Sequence, residues 1–139
     1  MPDLEIIEKR LSSFIDDLHN LKKYQTITID VVKANKDMLW ILERGIYLLI
    51  QNLFDIFAHI VSADFNEKWD YYSDLSDILF KHNIISEKDK IILNQMSGFR
   101  NRLSHEYLSL DINLLTDIVN NRLNDFTRFL KIIKDYCKI

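Results

Sequence analysis

Two apolar series run along one segment, from about Ile29 to Ala63, and they constrain the fold more than any other feature of the chain. Met38, Leu42, Ile46, Leu49, Leu53, Ile56 and Ile60 recur every three or four residues, and Leu39, Ile50, Phe54, Phe57 and Val61 repeat the pattern one face over. That spacing is the signature of α-helix. A helix apolar on two sides has to be covered on two sides, so this one belongs at the centre of a bundle. Between the stripes lies a polar row, Arg44, Gln51, Asp55 and His59, also at helical spacing. Something polar, or a partner subunit, must lie along it.

The rest of the chain supplies the covering helices. Leu4, Ile7, Leu11, Phe14, Leu18 and Leu21 predict an amphipathic first helix ending near Tyr24, and Thr28 or Asp30 can cap the central helix after it. Residues 64 to 70 read as a loop, with Trp69 closing over the core. A short helix from about Tyr71 to His82 carries Leu75, Ile78 and Leu79. Ser86 opens a fourth helix from Glu87 to about Tyr107, with acidic residues in its first turn. In that helix Gly98 costs about 1 kcal/mol against alanine, which predicts either close helix packing or a kink. Asp111 caps a fifth helix with core positions Leu115, Val119, Leu123, Phe126, Leu130, Ile133 and Cys137.

With two glycines and one proline in 139 residues, where average usage gives roughly ten and seven, there is little material for turns. The expectation is an all-α protein, an up-and-down helical bundle of four long helices plus one short helix, folding as a single domain over residues 1–139. A chain of this length buries roughly two thirds of its unfolded surface.

Charge and cysteine usage narrow the function classes. A net charge of −3 does not draw nucleic acid to the protein as a whole, so any RNA contact must be local. The lone Cys137 excludes an internal disulfide and zinc-finger spacing, and suits a reducing cytoplasm. The acidic start Met1-Pro2-Asp3-Leu4-Glu5 is no secretory signal. The least charged window, Gly45 to Phe54, is about half the roughly 20 residues a membrane span needs, so no membrane is expected as a partner.

The chemistry concentrates in Gly98-Phe99-Arg100-Asn101-Arg102-Leu103-Ser104-His105-Glu106-Tyr107. Cutting RNA without a metal requires a group that moves protons near pH 7 and a fixed cation for the extra charge at the phosphate. Histidine supplies the first and arginine the second. At about 100° per residue, Asn101 and His105 share one stripe and Arg100 and Tyr107 another, the stripes lying roughly 100–160° apart. His105 is expected to point outward and Arg100 to sit at the core boundary. An outward stripe on a lone helix is a poor active site, because water weakens every charge interaction there; a second subunit would close it.

The string Arg100-x4-His105-x-Tyr107, preceded by Gly98-Phe99 and with Asn101 after the arginine, resembles the signature of the HepT-type toxins of the HEPN superfamily. Chain length and helix order fit the same family. The resemblance implies a toxin of a prokaryotic, type VII-like toxin–antitoxin pair: a metal-independent endoribonuclease whose catalytic residues Arg100 and His105 line a homodimer cleft, with no cofactor. It further implies that a minimal nucleotidyltransferase antitoxin neutralises the toxin by adenylylating Tyr107. Asn101 would orient the imidazole or a phosphate.

Each residue also has a plainer reading. Arg100 and His105 can be surface charges paired with Glu106 or a neighbouring helix, and Tyr107 a half-buried aromatic. Arg102 is either a second RNA contact or a solvated charge. Asp55 and His59, at i and i+4, are either a metal pair or a satisfied polar pair near a dimer seam; a di-iron bundle needs two Glu-x-x-His units, and the sequence has neither. His19 and His82 read as exposed or loop residues. The run Arg122, Arg128, Lys131, Lys134 and Lys138, interleaved with Asp125 and Asp135, reads as a solvated face. The competing functions are a non-catalytic HEPN adaptor subunit of a nucleotidyltransferase and, more remotely, a metal-bound oxidase bundle.

Overall fold

The computed structural model describes residues 2–105 and 111–139, with the backbone alone at 104 and 105. Helix α1 spans Leu4–Lys22, its first turn held by the Asp3 carboxylate, which accepts from the Glu5 and Ile6 N–H groups. Helix α2, Ile29–Ala34, is capped by Thr28, and α3 runs Lys36–Ile60 and is prolonged by a π-helical turn, Val61–Phe65. Then come α4, Tyr72–Lys81, and α5, Glu87–His105. Helix α6, Ile112–Asp117, passes through a second π-helical turn, Ile118–Arg122, into α7, Leu123–Cys137. No strand occurs among the described residues. The all-α bundle expected from the periodicity is what forms.

The single helix expected from Ile29 to Ala63 is interrupted. Asn35 takes an extended conformation, φ −129° and ψ 102°, and its side-chain oxygen accepts the Met38 N–H at 3.2 Å. An asparagine that satisfies a helix's free N–H groups starts a new helix there. The π-helical turns mark a second departure from the even spacing, each adding a residue to its turn.

From Leu42 onward both stripes of α3 are buried as expected, with Leu42, Ile46, Leu49, Leu53, Phe54, Ile56, Phe57 and Ile60 sealed from solvent, while their first members Met38 and Leu39 are half-buried. Phe57 meets Phe129 of α7 edge-on, centroids 6.2 Å apart at 87°. Phe129, rather than the expected Leu130, is the buried residue at that turn; Leu130 is half-buried. Leu4 is exposed, although the α1 stripe behind it is buried. By length and apolarity alone, residues 36–65 are long and apolar enough to cross a membrane. Half of the apolar window that makes them so is buried inside the bundle.

The two glycines have opposite surroundings. A methyl group at Gly45 would stand 2.8 Å from Cδ2 and 3.0 Å from Cγ of the buried Leu21, so this is where α1 and α3 approach closely. At Gly98, expected to show packing or a kink, α5 runs on as one helix and a methyl would meet nothing within 4 Å. Gly98→Ala is expected to raise the unfolding free energy by about 1 kcal/mol. Gly45→Ala is expected to lower it, since overpacking costs about 1–3 kcal/mol and outweighs the same helix gain. Urea midpoints at unchanged slope test this; movement of both variants in one direction would contradict the packing.

Candidate active site

The polar row of α3 meets its partners here. Gln51 lies at the centre of α3, facing α5, and its Oε1 accepts two bonds from Arg100, from Nε at 3.1 Å and from Nη2 at 2.7 Å. Its Nε2 donates to Asp55 Oδ1 and to the Tyr72 hydroxyl, both at 2.9 Å. The amide therefore presents its acceptor to the guanidinium and its donors to two oxygens, which fixes its orientation.

Arg100 is half-buried, at the core boundary as its stripe predicts. Beyond Gln51, its Nη1 donates to Asn101 Oδ1 at 3.3 Å and its Nη2 reaches the Tyr47 hydroxyl at 3.5 Å. The guanidinium also lies over two rings, 5.4 Å from the centroid of Tyr47 and 5.0 Å from that of Tyr72. Among the described residues, Gln51, Asn101 and the two tyrosines, all neutral groups, hold the position and the plane of the cation.

Tyr72 is braced in turn. It stacks on the buried Phe54, centroids 4.6 Å apart at 11°, and Trp69 packs on it at 6.1 Å, as a cover on the core. The Asp74 carboxylate accepts the N–H groups of Asp70 and Tyr71 at 2.9 Å each and so fixes the start of α4. Those bonds, Tyr71's first, hold its carboxyl below the usual range. The result is a cavity of about 360 Å³ bounded by Trp69, Tyr71, Tyr72, Ser97, Arg100 and Asn101. Tyr71, 73% exposed, stands at its mouth.

Of the residues singled out in the sequence, Arg100 and Asn101 thus come together on one cavity. Arg102 turns elsewhere: exposed, its guanidinium lies 5.5 Å from the Phe99 centroid and borders an apolar groove between α5 and the α6–α7 segment. His105 is the last residue of α5; its side chain and Tyr107 lie outside the described residues. Asp55 and His59 do not pair with each other. Asp55 bonds Gln51 and, at 3.3 Å, Arg10 of α1, while His59 Nε2 accepts the Asp3 N–H at 3.1 Å. Both serve to tie α1 to α3. His82, read as an exposed or loop residue, is half-buried at the end of α4, stacked on Phe65 at 3.8 Å and bonded to Glu67 at 2.6 Å. On the C-terminal run Arg128 is paired with Asp89 and Asp125, and Lys131 with Asp135.

Tyr47 and Tyr72 are site residues that sequence reasoning did not single out. Tyr47 had a signal, since it falls between Arg44 and Gln51 in the polar row. Tyr72 had none, because only the fold brings α4 against Arg100.

A bundle of this topology has close counterparts among solved structures. One is a tri-AMPylated Shewanella oneidensis HEPN toxin in complex with MNT antitoxin, at TM-score 0.85 and 21% identity over 97% of this chain and 99% of that one. Another is a toxin–antitoxin crystal structure with AMP-PNP, at TM-score 0.86 and 20% identity over 94% and 98%. The class is therefore the HEPN fold. Within it, the chain belongs to the ribonuclease HepT-like family, whose sequence profile matches residues 14–133. A curated relative, a tRNA nuclease HepT from Aphanizomenon flos-aquae, is 30% identical over 94% of this chain and 89% of its own. An mRNA nuclease HepT from Shewanella oneidensis is 32% identical over 41% of this chain and 43% of its own.

Proposed function

We propose that this protein is the RNA-cleaving toxin of a toxin–antitoxin pair, working in the cytoplasm as a two-fold dimer and without a metal. The observation that carries the reading is Arg100: a guanidinium held by Gln51, Asn101 and two rings, five residues before His105 on one helix. Family membership and the named nuclease relatives support it.

In this reading the imidazole of His105 removes the proton of a ribose 2′-hydroxyl. The 2′ oxygen attacks the adjacent phosphorus, forming a cyclic phosphate as the bond to the 5′ oxygen of the next nucleotide breaks, and that oxygen departs with a proton given up by an imidazolium, which restores the neutral base. Arg100 balances the charge that builds on the phosphoryl oxygens. On one α-helix five residues span about 7.5 Å of axis and point to different faces, so the two groups are best completed by a second copy. Asn101 shares the His105 stripe, where its amide can contact the imidazole or a phosphate, and Arg102 contributes at most a peripheral contact.

The test is direct. The purified protein, incubated with tRNA and separately with mRNA in a chelating buffer, is expected to cut, and His105→Ala to slow cutting at least a hundredfold. The longer alignment with the tRNA nuclease makes tRNA the first substrate to try. Cleavage at an unchanged rate in His105→Ala would remove the mechanism, and an inert wild type would favour an adaptor role.

Regulation obeys the same electrostatics. Adenylate groups on Tyr107, installed by a nucleotidyltransferase partner, would place anionic phosphates beside His105 and repel an RNA backbone. Co-expression with a minimal nucleotidyltransferase of the antitoxin class is expected to add adenylate mass to the wild type and none to Tyr107→Phe. An unmodified wild type would count against this regulation.

A further inference from the structure

The exposed face of α3 ahead of Gln51 alternates cations and rings. Lys36 Nζ lies 5.5 Å from the centroid of Trp40, and the Arg44 guanidinium lies 5.8 Å from Tyr47, whose ring also carries Arg100. Trp40, Arg44, Tyr47 and Gln51 fall at i, i+4, i+7 and i+11, one stripe of the helix, about 16 Å long at 1.5 Å per residue. Trp40 is 59% exposed, and beside it Tyr24, Ile41, Arg44 and Leu48 border a depression of about 490 Å³. A large aromatic left in water is a liability unless something covers it. Nothing within the described chain does.

We infer that this stripe is a binding track for single-stranded RNA, on which a base stacks against Trp40 while Lys36 and Arg44 hold the flanking phosphates and lead the strand toward Arg100. The inference rests on the nuclease reading for its choice of ligand, and three features favour that ligand over a protein. Each ring of the stripe is accompanied by a cation, as a strand of alternating bases and phosphates requires. The stripe runs without a break into the proposed catalytic arginine through the shared ring of Tyr47. Its two cations, Lys36 and Arg44, are both exposed, and on a chain of net charge −3 phosphate contacts must rest on such individual side chains, here with Asp37 and Glu43 beside them in sequence. Asp17 of α1 borders the same depression next to Arg44 and sets a limit on how tightly phosphate is held there.

The probe is a fluorescently labelled oligoribonucleotide carrying 2′-O-methyl groups throughout, so that it has no nucleophile and cannot be cut, together with an abasic chain of equal length. Trp40→Ala is expected to weaken binding of the base-bearing strand roughly tenfold, the loss of one stacked base, and to leave the abasic chain unaffected. Trp40→Phe should retain most of the affinity. Arg44→Ala should weaken both chains and flatten the salt dependence. In Trp69→Phe, where Trp40 is the only indole, its fluorescence should be quenched by the base-bearing strand and not by the abasic one. Thermal melts matching wild type show that the exposed substitutions leave the fold intact.

Equal affinity of wild type and Trp40→Ala for the base-bearing strand would overturn the track. So would Trp40→Ala and Arg44→Ala that bind RNA normally but lose a co-purifying nucleotidyltransferase, because the face would then belong to that protein. The two readings fail separately. The uncuttable probe bound with this pattern by a protein that cleaves no RNA sinks the nuclease and keeps the track. Cleavage of natural RNA with Trp40 irrelevant to binding does the reverse.

Discussion

Arg100→Lys is expected to lose RNA cleavage almost as completely as Arg100→Ala, by two orders of magnitude or more in the single-turnover rate. Charge alone would predict that lysine rescues, and the geometry says otherwise. Arg100 gives two N–H groups to one oxygen of Gln51 and a third to Asn101, while its plane lies over Tyr47 and Tyr72. An ammonium has three donors around a single point and no planar face, so it cannot make the fork and the ring contacts together. In either variant the half-buried Gln51 oxygen loses its guanidinium donors, which adds a penalty of about 1–3 kcal/mol to stability. Gln51→Met separates positioning from chemistry. It keeps the approximate shape of the side chain and removes both the acceptor and the amide donors to Asp55 and Tyr72, and should lower the cleavage rate by a smaller factor while leaving RNA affinity near wild type. Single-turnover cleavage with enzyme in excess, alongside a thermal melt of each variant, makes the comparison. A lysine variant that cuts at the wild-type rate would show that the held guanidinium is not what the phosphate needs.

Legible in the sequence is whatever depends on neighbours along the chain. The three-and-four spacing of α1, α3 and α7 and the caps at Thr28, Ser86 and Asp111 are local, and each forms: Ser86 Oγ accepts the Asp89 N–H at 3.1 Å, and Asp111 Oδ1 the Leu114 N–H at 3.1 Å. The break at Asn35 is equally local but hidden, because both apolar stripes begin after it, at Met38 and Leu39, and so do not mark where the helix starts. The exchange of Leu130 for Phe129 in the core is hidden for another reason. Leu123, Phe126, Ile133 and Cys137 are buried where the spacing puts them, and between Phe126 and Ile133 either residue 129 or residue 130 satisfies a three-and-four step, so the pattern alone does not choose. Within the site, the polar row of α3 announces that something polar must face it, and the stripe of Arg100 predicts its place at the core boundary. That the two meet, with Tyr72 of a third helix bracing them, depends on how α3, α4 and α5 pack. No single helix carries that information.

Phe54→Ala is expected to be the most damaging single change away from the charged residues, because Phe54 belongs to the core and the site at once. Its ring is sealed from solvent and lies flat against Tyr72, centroids 4.6 Å apart. Truncating a buried phenylalanine costs about 3–5 kcal/mol against a typical total of about 5–15, enough to lower the melting temperature by roughly 10 °C or more in a chain of this size. A second loss arises from the contacts of Tyr72. That ring carries the Arg100 guanidinium on its face, and its hydroxyl accepts from Gln51, so a cavity behind it loosens the group that orients the arginine. At a temperature where the variant is still folded by circular dichroism, RNA cleavage should therefore be depressed further than the folded fraction accounts for. Leu42→Ala supplies the comparison, since Leu42 is as deeply buried in α3 but lies outside the Gln51, Tyr72 and Arg100 contacts. It should cost about 2–5 kcal/mol and leave the activity of the folded molecules unchanged. Equal activity per folded molecule in both variants would mean that Tyr72 packs beside Arg100 without positioning it.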